Sequence, residues 1–242
     1  MKLRRYLEIL DEISPFELQE SWDNSGLIVG EEEAEIKKVY LSLDIEESMF
    51  EEIYEESLLI VHHPPIFKGL MKIDFSKYPA NIVKNAIKKD ISIIAMHTNY
   101  DKTHLNRYVL QSVLGYDISE SEDFLAYFDV EKEFETFAKE IASKLGMNDI
   151  RTVNGRKYIK RAAICTGSGA SLLYDLKADA LLTGDIKYHD ALAAKEQKIS
   201  LIDIGHFESE RYFARSLQKE LQNKGLNGII ANSKNPFSHI KG

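Results

Sequence analysis

Short apolar runs alternate along the chain with stretches in which apolar residues recur every three or four positions. The runs KVYLSL (38–43), LLIV (58–61), ISIIAM (91–96), RAAICT (161–166), DALLT (179–183) and ISLIDI (199–204) suit strands buried on both faces. The periodic stretches predict helices. They cover the N-terminal MKLRRYLEILDEIS, residues 46–57 with Met49, Phe50, Ile53 and Tyr54, and the segments led by Ile82, Val83, Ala86 and Ile87 and by Leu105, Tyr108, Val109 and Ser112. Further helices are read at Phe134 to Leu145 with Gly146 as terminator, 170–177, 188–197, and around Phe213, Leu217 and Leu221. Residues 14–30 read as a turn-rich segment leading to a short apolar run, and 115–130 as a connector. Strands alternating with helices indicate an α/β architecture with largely parallel strands.

The order of parts repeats. Each half runs strand, helix, strand, helix, strand, and the third strand of each opens into a histidine with a carboxylate four residues on. With one residue of gap, HTNYD (97–101) falls on GHFESE (205–210), so His97 matches His206 and Asp101 matches Glu210. The repeat predicts two similar α/β lobes, placed at 1–123 and 124–242 and packed as one compact unit.

Strand ends carry the chemistry. LLIVHHPP stops where two prolines, lacking amide protons, cannot extend a ladder. His62 and His63 therefore sit at the carboxyl end of a buried strand, where open α/β sheets hold ligands. Together with His97, Asp101, His206 and Glu210 they make four histidines and two carboxylates at strand ends, suited to borderline divalent metals such as zinc, manganese, iron or nickel. Six candidates exceed one tetrahedral site and match two metals better. A lone His-x-x-x-Glu is more often a surface pair; recurrence at equivalent positions argues for metal. Asp185 and His189 in TGDIKYHD form a further polar cluster. For Asp185 a helix N-cap and support for a metal-bound imidazole are both open. The Gly-Ser-Gly at 167–169 reads as a tight turn, a phosphate cradle being the weaker alternative. His104 and His239 lack this context and are expected to face solvent.

Composition narrows the partners. With a formal net charge of −8 and no block of basic residues, nucleic acid is disfavoured as a partner. The single cysteine, Cys165, excludes an internal disulfide framework and reads as a buried, inert thiol. No signal peptide or membrane-spanning run is visible, and a cytoplasmic protein is expected.

WDNSGLIVG (22–30), VHHPPIFKG (61–69), HTNYD (97–101), ICTGSGAS (164–171), TGDIKYHD (183–190) and GHFESE (205–210) resemble, in order, the marks of the Nif-three-like family, also called the GTP cyclohydrolase I type 2 family. The resemblance covers nearly the whole chain, in the compact form without a large inserted domain. It implies two interlaced lobes, a ring-shaped homohexamer, and two divalent metal ions per chain held by His62, His63, Asp101, His206 and Glu210. His97 would stand beside the metals as a catalytic proton carrier or extra ligand. The implied reaction is hydrolytic opening of the guanine imidazole ring of GTP with release of formate. A dinuclear phosphoesterase acting on nucleotides and a non-enzymatic metal-holding scaffold are the alternatives. One departure is that Thr103-His104 stands where the family usually has Gly-Gly, and these residues resist backbone angles open to glycine.

Overall fold

The structure is a computed structural model that describes residues 1–231 and 233–238; His239 lies outside the described residues. It divides into two compact units. One comprises Met1–Tyr100 with the described part of Phe213–Gly242, the other Asp101–Tyr212. Each is a mixed sheet flanked by helices, the α/β architecture of two similar lobes that the alternating pattern predicts.

In chain order the described strands are β1 (Gly26–Val29), β2 (Lys38–Ser42), β3 (Ser57–Val61), β4 (Ser92–Ala95), β5 (Glu120–Glu122), β6 (Leu125–Glu133), β7 (Arg151–Val153), β8 (Tyr158–Ile164), β9 (Ala180–Thr183), β10 (Ser200–Asp203) and β11 (Ile229–Ile230). The first unit's sheet runs β1-β4-β3-β2-β11. Within it β2, β3 and β4 are parallel, and β1 is antiparallel to β4. The second unit's sheet runs β5-β6-β8-β9-β10-β7, with β8, β9 and β10 parallel and β7 antiparallel to β10. Three parallel strands in chain order, closed by an antiparallel strand that precedes them, are thus built twice. This is the duplication read from the motif order, expressed as topology.

Leu58, Leu59, Ile60 and Val61 of β3 are wholly buried, as are Ile93, Ile94 and Ala95 of β4 and Leu181 and Leu182 of β9. Unbroken apolar runs are what strands covered on both faces require. His62 and His63 follow β3 directly; the His62 amide is shared between the Ser42 and Leu43 carbonyls, and the His63 amide turns back onto Leu43, where the ladder ends.

Several elements differ from the pattern reading. Residues 115–130 are not merely a connector, since they include β5 and the start of β6, the antiparallel partner of β8. Leu125 to Phe128 are all buried, but past Asp129 the register shifts at a bulge with Glu131 at positive φ, so no clean alternation marks the strand. The helices read at 46–57 and 170–177 are short 3₁₀ turns, Glu47–Glu51 and Ala170–Asp175. The chain leaves the first unit after Tyr100, upstream of the 123/124 division, and from Phe213 it returns to that unit. Its last strand, β11, pairs in parallel with β2. A single cut cannot describe a unit that the chain enters twice.

Residues 98–113 are helical throughout but contain two wider π-type turns, Asp101–Leu105 and Val109–Val113. Along this helix Asn106 and Leu110 are buried, whereas Ser112 of the expected apolar face is exposed. Thr103 and His104 lie in the first wide turn and are not among the described residues with positive φ, so this helix dispenses with the glycines. His104 is half-buried, not solvent-facing, with its Nδ1 2.8 Å from Thr103 Oγ1. Among the described residues no helix is long and apolar enough to cross a membrane.

Candidate metal centre

The first unit gathers three imidazoles where β3 and β4 end. One ring nitrogen from each of His62, His63 and His97 lies within 4.8 Å of the others. His62 is fully buried, its ring 4.9 Å from that of Phe213, while His63 and His97 are half-buried. Each ring is held by its Nδ1. His62 Nδ1 donates to the Met96 carbonyl at 2.8 Å, His63 Nδ1 to Asp44 Oδ1 at 2.7 Å, and His97 Nδ1 to Asp23 Oδ1 at 2.7 Å. These oxygens only accept, so Nδ1 carries a hydrogen on all three rings, and Nε2 is the nitrogen that can offer a lone pair when the ring is neutral.

Asp23 anchors the third ring. Its side chain is wholly buried and also accepts the Thr98 amide, the Thr98 hydroxyl and the Ser25 hydroxyl. Burial alone would push this carboxyl up. The His97 and Thr98 hydrogen bonds and the nearby imidazole outweigh it and hold Asp23 well below the usual carboxylate range.

The second unit gathers His206, Glu210 and Asp101. His206 opens a short helix (His206–Glu210) just past β10, so the i, i+4 spacing places Glu210 on its face, Nε2 to Oε2 at 2.9 Å. A carboxylate oxygen of Asp101 lies within 4.8 Å of one from Glu210, and both residues are buried. His206 Nδ1 donates to Asp185 Oδ2 at 2.7 Å. Asp185 therefore supports the imidazole, and it is not the helix N-cap, a position held by Lys187. His189 is exposed with its ring edge-on to Tyr188, and joins neither group.

Gly-Ser-Gly serves this second group sterically. Gly167, at φ +67°, lies so close to Glu210 Oε1 that a Cβ there would collide with the carboxylate. The Gly167 and Gly169 amides are taken by the Ser209 and Thr183 hydroxyls, which argues against a phosphate cradle. Cys165 is buried and its thiol is pushed up by that burial, consistent with an inert core residue.

The donor set fits a divalent metal. Imidazole nitrogens are borderline donors and carboxylate oxygens hard ones, a mixture that divalent transition metals accept, and an Nδ1 bonded to oxygen on each of the four rings is the support that metal-binding histidines receive. Asp23 and Asp44 supply part of that support without having been singled out from sequence. Their signals were present, Asp44 at the end of the 38–43 run and Asp23 inside WDNSG.

With both nitrogens of His206 on carboxylates, its hydrogen bond to Glu210 raises it, against burial and with help from Asp185, to about 9. A raised folded-state value gives metal-free protein stability that is full below the unfolded value near 6.5 and lost as pH rises through about 9. Because the ring is 37% exposed, we expect only about 1–2 kcal/mol from it after solvent screening. Denaturant titrations of chelated protein between these pH values should show that loss, and His206→Ala should flatten it. An equal slope in the variant would assign the loss elsewhere. Metal loading has the opposite sense, because the proton must leave His206 before its nitrogen can bind.

The sequence and the fold also resemble known proteins. A profile of Duf34/NIF3 (NGG1p interacting factor 3) matches residues 1–236. A Campylobacter jejuni protein named GTP cyclohydrolase 1 type 2 homolog is 50% identical over 99% of this chain and 100% of its own length. A Helicobacter pylori protein named GTP cyclohydrolase 1 type 2 is 42% identical over 98% of this chain and 99% of its own. Among solved structures, a Staphylococcus aureus hypothetical protein superposes with a TM-score of 0.87 at 30% identity, covering 99% of each chain.

Proposed function

Because the chain belongs to the Duf34/NIF3 family, we propose that it is a metal-dependent hydrolase that opens the imidazole ring of guanine in GTP and releases formate. In this reading His62 and His63 of the first unit and Asp101, His206 and Glu210 of the second are the metal ligands, and two ions are held per chain. The observation that carries it is the common pinning of His62, His63, His97 and His206 through Nδ1, which leaves Nε2 as the ligand atom on each ring once that nitrogen is free of a proton. The names of the relatives supply the nucleotide.

Two waters are consumed in the net reaction. The first adds at the ring carbon between the two imidazole nitrogens and one carbon–nitrogen bond breaks, leaving a formamide. The second cleaves that formamide to formate and an amine. A bound divalent ion supplies water that ionises near neutral pH and a Lewis acid for the developing charge. His97 handles protons at Nε2, taking one from the attacking water and returning it to the departing nitrogen. Asp23 fixes the tautomer that makes this possible and stabilises the ring when it is protonated.

Elemental analysis of purified protein, paired with a formate-release assay on GTP, tests the reading. The expected result is about two divalent ions per chain and formate formation that stops on chelation and returns on metal addition. Metal without formate would overturn the reaction, and absence of metal after reconstitution would overturn the ligand assignment.

A further inference from the structure

Beside the first unit's imidazoles stands an aromatic pair that the metal ligands do not account for. Trp22 and Phe67 stack with centroids 5.7 Å apart and planes 29° from parallel. His97 meets both edge-on, at 6.3 Å from Trp22 and 5.6 Å from Phe67. Trp22 is 56% exposed and Phe67 40% exposed, so neither is a core residue.

Their loops are fixed by other contacts. Asn24 Nδ2 donates to the Ile66 carbonyl at 2.6 Å, joining the Trp22 loop to the segment after the prolines. Asp23 is tied down by His97 and Thr98. Neighbouring residues thus serve the same imidazole differently: the Asp23 side chain is buried and holds it, while Trp22 lies beside it with more than half of its surface exposed. A rigid backbone that displays an indole face next to a candidate proton carrier is the arrangement a stacking subsite needs. The 5.7 Å spacing of the pair is too small to admit a third ring between them. A ligand ring would therefore lie on the outer face of the indole, with Phe67 as its backing.

We propose that Trp22, backed by Phe67, is the platform on which the planar heteroaromatic base of the substrate stacks beside His97. The proposal rests on the nucleotide reading above for the presence of a base. Stacking is tolerant of base identity because every base has a π-face. The platform therefore positions the ring and does not by itself select guanine.

Trp22 is the chain's single tryptophan, so emission excited on the red side of the tyrosine absorption reports on this face. Full-length, metal-loaded protein would be titrated with GTP, ATP and inorganic tripolyphosphate. GTP and ATP should both quench the emission saturably, and tripolyphosphate should leave it unmoved. Trp22→Ala should raise KM for formate release about tenfold or more with a smaller change in kcat, while Trp22→Phe stays within about threefold of the parent. Phe67→Ala, which keeps the reporter, should weaken nucleotide quenching.

Quenching by tripolyphosphate equal to that by GTP would overturn the proposal. So would emission unmoved at GTP concentrations that saturate formate release, or a Trp22 inaccessible to acrylamide in ligand-free protein, which would mean that another chain covers the face. Formate release with silent emission refutes the platform and leaves the hydrolase reading standing. Nucleotide quenching without formate from any nucleotide does the reverse.

Discussion

Replacing Asp23 with alanine should lower stability by about 2–4 kcal/mol and formate release by about two to four orders of magnitude. The stability loss follows from what the carboxylate accepts: the His97 ring hydrogen, the Asn24 and Thr98 amides and the Thr98 and Ser25 hydroxyls, all onto a side chain without solvent access. Alanine leaves those donors facing a small void. For a chain of this size the loss corresponds to a fall in Tm of about 5–15 °C, which scanning calorimetry reads directly. The rate loss has a separate origin, the orientation and tautomer of His97.

Asp23→Asn separates the two effects. The amide oxygen can keep the Thr98 and Ser25 hydrogen bonds while the NH₂ loses those from His97 and Asn24, so the stability loss should be smaller than in the alanine variant. Its NH₂ directed at His97 Nδ1 forces the hydrogen to Nε2, and the rate should still collapse. An asparagine variant with parental kcat would remove His97 as the proton carrier. Because the folded-state value of Asp23 is depressed, its contribution is present above the ordinary aspartate range and is lost only as pH falls well below it.

The second large effect concerns ligands. His63→Ala and Glu210→Ala should each cut bound metal and reduce formate release at least about a hundredfold, since losing even a supporting partner of a metal ligand costs ten- to a hundredfold. Asp101→Asn gives a cleaner sign. In metal-free protein Asp101 and Glu210 are buried carboxylates with oxygens within 4.8 Å of each other, a spacing at which two ionised carboxylates repel. Neutralising Asp101 should leave chelated protein as stable as its parent or more so. Saturating metal at about 100 times Kd should raise the parent's Tm by about 5–10 °C and the variant's far less. Thermal melts with and without chelator should therefore cross. Parallel shifts in both proteins would show that Asp101 is not a ligand.

How much of this was legible in the sequence depends on how local each signal is. β3 and β4 were readable because strands covered on both faces are uniformly apolar, and the prolines after His63 fixed where β3 ends. The histidines and carboxylates were readable because strand-end position and i, i+4 spacing are properties of neighbouring residues. β6 was not, because a bulge interrupts its alternation. β7 and β11 were not, because strands of three and two residues exist only through their partners. The supports of the imidazoles are intermediate. Asp44 and His63 are brought together by adjacent strands, and Asp23 and His97 by a loop packed against a strand end, so each pairing joins residues distant in sequence and declares itself only once the sheet is formed.

The return of the chain to its first sheet has a consequence for biosynthesis. Pairing Tyr40 with Ile229 means that the sheet holding His62 and His63 lacks its edge strand until synthesis has passed Ile230. The Asp101–Tyr212 unit is continuous and all its strands emerge together, so it can be finished on the ribosome while the first sheet waits with an open edge at β2. Vectorial synthesis thus completes first the unit that carries the carboxylates, and last the sheet that carries the paired histidines.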